Sequence, residues 1–195
     1  MRVREGNKEA DILDAAIKVF AKNGFHNAKI YKIAESAGIA TGSVYLYFKN
    51  KEAILNKIFE NLWGQLYQAI SELKQRNDIN SIDKIDQLIN LFFNIFYNKP
   101  ELAIVFVNEQ INVSHKKDGL WLKYNERFIE DGEEILTDGI NKGVINPNIN
   151  VKAFRYFLLG GLRYMLDNWA KDQKALSINI LRQNVKLIIK NGILS

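Results

Sequence analysis

The chain of 195 residues has no cysteine, two prolines and two histidines. Without cysteine there is no disulfide framework and no thiolate metal site. His26 and His115 stand 89 positions apart, and neither a phosphate-cradling glycine loop nor a nucleophile elbow accompanies them. No catalytic residue, metal site or bound cofactor is therefore expected. Long apolar runs are missing too: LINLFFNIFY and FRYFLLGGLRYML are interrupted by Asn or Arg, and MRVREGNKEADILDAA lacks the apolar core of a signal peptide. The expectation is a cytoplasmic protein that does not enter a membrane. No segment alternates apolar and polar residues as a half-buried strand does, and no internal repeat is visible.

What the chain does have is a 47% hydrophobic content and charged residues of mixed sign, the composition of a folded globular protein. Net charge is +5, and its distribution is uneven. Between Lys22 and Lys51 the lysines 22, 29, 32, 49 and 51 face a single acid, Glu35. Such a cluster is compatible with nucleic acid, although a solvated face would read the same.

Within that basic region lies IAESAGIATGSVYLYFKNKE, residues 33–52. Ile33 and Ala34 belong to one short helix, Gly38 supplies a turn, and Val44 and Phe48, four apart, give a second helix one buried side. The other side carries Thr41, Gly42, Ser43, Tyr45, Leu46 and Tyr47. These groups can bond to phosphates or touch base edges, as the second helix of a helix-turn-helix does. Tyr45 and Tyr47 are two apart, so both cannot face one core.

Gly24-Phe25, Ile33-Ala34, Ala37-Gly38-Ile39, Val44-Tyr45, Phe48 and Lys51-Glu52 follow one another in the order and spacing of the amino-terminal domain of the Tet repressor (TetR) family, which the chain resembles over roughly residues 8 to 60. One departure is Ala28-Lys29, where the family opens its second helix with adjacent Thr or Ser; Asn27 is the substitute cap and Lys29 the substitute phosphate contact. The resemblance implies an all-α fold of about nine helices, with a three-helix DNA-binding domain at 1–50 and a ligand-binding and dimerisation domain at 51–195. It implies a repressor that binds a palindromic operator as a homodimer and leaves it when a small apolar effector binds. The expected DNA contacts are Lys29, Thr41, Gly42, Ser43, Tyr45, Leu46, Tyr47, Lys49 and Lys51. Lys51 and Tyr47 are assigned to phosphates, Thr41 and Leu46 to bases.

The remaining sequence reads as further helices. Asn7 is offered as the first cap, and Asn50-Lys51-Glu52 begins a long helix through Leu66 and Ile70. Ser81 opens a fifth helix that Pro100 stops, and Asn150 opens an eighth. Glu130, Asp131, Glu133 and Glu134 fan around their helix as a solvated face. The aromatic residues exceed what a small bundle needs, so Phe92, Phe96, Phe106, Trp121, Tyr124 and Phe157 are expected around a ligand, with Arg155 and Arg163 for an anionic group, the alternative being rim ion pairs. Gly160-Gly161 interrupts the eighth helix, at a cost of roughly 1 kcal/mol each relative to Ala. Close approach of another helix, or room for a ligand, would offset it. With Leu181, Val185 and Ile188 these glycines form the expected dimer interface.

Short stretches, Tyr45 to Glu52, Leu102 to Val105, Leu136 to Ile140 and Trp169, are similar to the family branch of fatty-acid-degradation repressors, which implies acyl-coenzyme A as effector. A multidrug-type regulator of efflux, responding to aromatic or cationic drugs, is the alternative, and a helical protein-interaction module is a reading from another class.

Overall fold

The computed structural model of the protein describes residues 8–114 and 119–194, without the side chains of 110–114. Asn7 and His115 lie outside the described residues. Among the described residues the fold is all helical: α1 Lys8–Asn23, α2 Ile30–Ala37, α3 Thr41–Tyr45, α4 Lys51–Gln75, α5 Ser81–Tyr97, α6 Pro100–Ser114, α7 Leu120–Asn141, α8 Val151–Lys171 and α9 Ile178–Ile193. Their one strand-like pairing is an isolated bridge between Ile145 and Leu194.

Local chemistry sets the ends of the first elements. α1 buries Ile12, Leu13, Ala16, Val19 and Phe20, and Gly24 stops it with φ +72°, a left-handed conformation that only glycine adopts without cost. Gly38 ends α2 in the same way at φ +68°. Asn27 does not cap α2: its amide donates back to the Asn23 carbonyl, and Lys29 occupies the cap position without a side-chain bond. Val44 and Phe48 are buried in the core, as their spacing requires.

α4 is the axis of the molecule. Asn50 Oδ1 accepts the Ala53 N–H at 2.8 Å, and 25 residues follow without a break, about 37 Å at 1.5 Å per residue. Ile54, Leu55, Ile58, Phe59, Leu62, Trp63, Leu66, Ile70 and Leu73 are buried along its length. Its first turns pack on α1 and the remainder on α7 and α5. Lys74, near its end, pairs with Asp131 and Glu134 of α7 at 2.6 Å each, and those bonds, Asp131 first, raise the lysine above its ordinary pKa.

The body differs from expectation at two helix starts. Asn80, not Ser81, caps α5, accepting the Asp83 N–H at 2.9 Å, while buried Ser81 donates to Asp138 on α7. Pro100 begins α6 instead of merely ending α5, because a missing N–H costs nothing in a first turn. Asn150 and Ser177 cap α8 and α9 by bonding to Ala153 N–H and Ile180 N–H. The acidic group of α7 is not simply solvated: besides Asp131 and Glu134 on Lys74, Glu133 holds Arg155 and Glu130 holds Arg127.

Gly139 of α7 is closely approached by its neighbours. A Cβ there would lie 2.6 Å from Ile145 Cδ1 and 2.9 Å from Ser81 Cβ, and Ile145 is fully buried. Overpacking costs about 1–3 kcal/mol, against the roughly 1 kcal/mol that alanine regains in a helix. Gly139→Ala should therefore lower stability by about 1 kcal/mol, read as a shift of the urea midpoint at unchanged slope.

Candidate nucleic-acid interface and ligand cavity

Burial of Val44 and Phe48 forces the residues between them outward. α3 is a single turn and a half, and the chain then runs through Leu46 and Tyr47 to Phe48, with Tyr47 and Phe48 N–H both donating to the Val44 carbonyl. Leu46 is 84% exposed, and Tyr45 and Tyr47 are exposed beside it. Thr41, Gly42, Lys29 and Lys49 are exposed as well, and Ser43 is half-buried. Tyr31 on α2 joins them, an exposed aromatic that the apolar pattern of α2 gave no reason to single out. Apolar and aromatic groups held in solvent by a short turn, next to the exposed Lys29 and Lys49, suit a groove of base edges lined by phosphates.

Lys51 has a different task from the one expected. Its Nζ donates to the carbonyls of Phe25, His26 and Ala28 at 2.8, 2.7 and 3.3 Å and lies 4.8 Å from the Phe25 ring centre. An ammonium has three donors, and all three are engaged within the chain. Lys51 thus ties the start of α4 to the α1–α2 loop. From the opposite side buried Glu109 of α6 accepts the Phe25 N–H at 3.3 Å. The loop is held between α4 and α6.

The body is hollow. A cavity of about 440 Å³ lies between α4, α5, α6, α7 and α8, within the range usual for small-molecule sites. Trp63, Ile70, Ile89, Phe92, Phe106 and Phe128 make its wall apolar. Arg155 and Arg163 line it from α8, and their circumstances differ. Arg155 is neutralised by Glu133 at 2.5 Å and stacks on Tyr156, whereas Arg163 bonds only the Val107 carbonyl and has no carboxylate partner among the described residues.

Of the expected ligand residues, Phe92, Phe106, Arg155 and Arg163 meet at this cavity. Phe96 and Trp121 do not: both are buried in the solid core, against Phe106 and Phe59 respectively. Tyr124 stacks on Tyr67 in a polar groove outside. Phe157 points away from the cavity and is 65% exposed. Ile85, Ile89, Leu66 and Ile70 were missed because a side chain on a cavity wall has the same helical period as one in a filled core.

Leu181 and Val185 require correction as interface residues, since α9 packs them against α5 inside the chain. Ile188 is exposed, and so are Ile180 and Leu187. On α8, Phe157 and Tyr164 flank Gly160-Gly161, and a Cβ on either glycine would meet nothing within 4 Å. Among the described residues no group of Asp, Glu, His or Cys is arranged to hold a metal, and no helix is long and apolar enough to cross a membrane.

An outward-facing reader helix and a lined cavity, built on one long shared helix, define an effector-responsive DNA-binding regulator of the helix-turn-helix class. The chain belongs to the tetR family of bacterial regulatory proteins, whose model matches residues 12–58, and the model of the YsiA-like C-terminal region matches residues 59–192. It is 31% identical over 190 residues to the fatty acid metabolism regulator protein of Bacillus subtilis, covering 95% of each chain. Among solved structures it is similar to the fatty acid degradation regulator FadR of Bacillus halodurans, with a TM-score of 0.79, 28% identity and 97% of both chains covered. It is also similar to FadR of Bacillus subtilis in complex with stearoyl-CoA, with a TM-score of 0.77, 29% identity and coverage of 94% of this chain and 98% of that one. These relatives are transcriptional regulators.

Because Lys51 is occupied inside the chain, Lys51→Met should lower stability by about 1–3 kcal/mol and leave the salt dependence of DNA affinity unchanged. Lys49→Ala should do the reverse, flattening the salt dependence by about one unit of slope at unchanged stability. Urea titration and affinity measured across a salt series separate the two; equal slopes for Lys49→Ala and wild type would remove Lys49 from the interface.

Proposed function

We propose that the protein is a cytoplasmic homodimeric repressor that binds a palindromic operator through residues 1–50 and releases it when a long-chain acyl-coenzyme A occupies the cavity in residues 51–195. The observation that carries this reading is an apolar cavity with Arg163 on its wall, a cation without a carboxylate partner among the described residues. A long apolar chain with an anionic head matches both features, and a relative of the same fold is described with stearoyl-CoA. Arg163 would hold the head. A cationic drug would need a free carboxylate instead, and the carboxylate on this wall, Glu133, is already held by Arg155.

Thr41, Gly42, Ser43, Tyr45, Leu46 and Tyr47 are the proposed reading surface, with Lys29 and Lys49 on phosphates. Leu46 would meet thymine methyl groups. The second copy would cover the outward faces of α8 and α9, where Phe157, Tyr164, Ile180, Leu187 and Ile188 leave an apolar patch in water. Gly160 and Gly161 give that face a flat notch between two aromatic rings, room for close approach of the partner's helix.

Coupling can run through α6. Phe106 lines the cavity, and Glu109, three residues on and one turn away, holds the Phe25 N–H. An acyl chain that displaces Phe106 would move Glu109 and, with it, the loop to which Lys51 binds the reader. A hundredfold loss of operator affinity needs about 2.7 kcal/mol of preference for the released form, within the usual allosteric range.

Titrating acyl-coenzyme A of increasing chain length against the protein–operator complex, with cationic dyes in parallel, tests the effector. Release by the long-chain thioesters is expected, and release by dyes alone would transfer the cavity to the drug reading. For the assembly, Phe157→Glu should give folded monomers in sedimentation, whereas Leu181→Asp should unfold the chain by burying a charge against α5. A wild-type monomer at micromolar concentration would overturn the dimer.

A further inference from the structure

The cavity owes part of its space to a side chain that is not there. Gly132 sits on the inward face of α7, in register with Phe128, Ile135 and Gly139, and lines the cavity. A glycine within a helix forfeits the propensity that alanine would supply. Gly139, seven residues on, has a packing reason: Ile145 and Ser81 occupy the place of its Cβ. Gly132 has none. A Cβ at Gly132 would meet one atom within 4 Å, Ile70 Cδ1 at 3.6 Å, an ordinary contact. What Gly132 leaves open is cavity.

Its position along the cavity follows from the ion pair beside it. Glu133 of α7 bonds Arg155 of α8, so Gly132 stands level with Arg155. Arg163, which has no carboxylate partner among the described residues, is eight residues further along α8, about 12 Å away. A ligand whose anionic head rests at Arg163 would direct its tail toward Gly132 and Ile70.

We infer that Gly132 sets the length of chain the cavity accepts, by leaving open the end that a larger side chain would fill. The inference rests on the acyl reading of the cavity. In Gly132→Leu, Cβ fits against Ile70 and the remaining side-chain carbons project into the space otherwise taken by the end of the tail. Each methylene excluded costs roughly fourfold in affinity, the worth of burying one such group. Three excluded methylenes weaken the longest thioesters on the order of fiftyfold, while shorter ones bind as before.

The experiment measures binding of two series to wild type, Gly132→Ala and Gly132→Leu. One series is acyl-coenzyme A of increasing length, and the other is n-alkanols of increasing length, read by thermal shift, which need no recognition of a head group. Operator binding without ligand and circular dichroism establish that each variant is folded. The expected result is a cut-off moved to shorter chains in Gly132→Leu for both series, with Gly132→Ala intermediate. A cut-off that does not move overturns the inference. So does equal weakening of all chain lengths, which would put the head, not the tail, beside Gly132. If wild type takes alkanols and no thioester, and the alkanol cut-off still moves, the acyl-coenzyme A reading falls while the role of Gly132 stands. If wild type takes neither series, both fall.

Discussion

The apolar stripe of α4 is the constraint from which the rest of the packing follows. From Ile54 to Ile70 its buried residues belong to one contiguous core that reaches Ile12 of α1 at one end and Ile135 of α7 at the other. A helix buried over its whole length cannot rotate for one set of neighbours without disturbing the other, because interiors are packed too densely to absorb a shift locally. The reader and the hollow body are therefore mechanically one object. An effector in the body needs no contact with the reader to alter its orientation.

The α1–α2 loop sharpens that linkage. Its carbonyls receive the Lys51 ammonium from α4, and its Phe25 N–H goes to Glu109 from α6. These are charge-assisted bonds in a partly dry setting, stronger than neutral ones and costly to leave unmade. Phe25 is buried between them, edge-on to Phe20 of α1. Two helices that contribute to the cavity wall thus meet at one short loop under the reader, and a relative movement of α4 and α6 must be felt there. The family resemblance assigned Lys51 to phosphate. Only the fold brings three carbonyls within its reach.

The cavity and the outer face of α8 illustrate how one helix serves two surfaces. Phe154, Leu158, Leu162 and Arg163 turn inward, Phe157 and Tyr164 turn outward, and Gly160 lies at the edge of the cavity between the two faces. In the sequence these residues form one apolar run, FRYFLLGGLRYML, which reads as a single wide face. Its width is real, but it is the sum of two stripes, and the expectation for Phe157 failed because it was assigned to the wrong one. Leu181 and Val185 on α9 failed in the opposite sense. They were expected at the dimer interface, and they are buried within the chain, where α9 packs on α5. The two arginines were set side by side by spacing, and the structure separates them by what stands opposite each: Glu133 for Arg155, a backbone carbonyl for Arg163.

The sequence alone determined the helical class, the order of the elements and the turn chemistry of the reader. These depend on residues near one another in the chain: the 3.6-residue period, glycines at left-handed positions, an Asn cap, and Val44 and Phe48 fixing which way Tyr45, Leu46 and Tyr47 must look. The tertiary structure alone decided which apolar side chains fill the core and which surround empty space, which cations are spent within the chain, and which side of α8 and α9 remains uncovered. Periodicity reports that a residue is turned away from water and says nothing of what lies opposite. What lies opposite is set by elements distant in sequence, as Ser81 of α5 is for Gly139 and the open cavity is for Gly132.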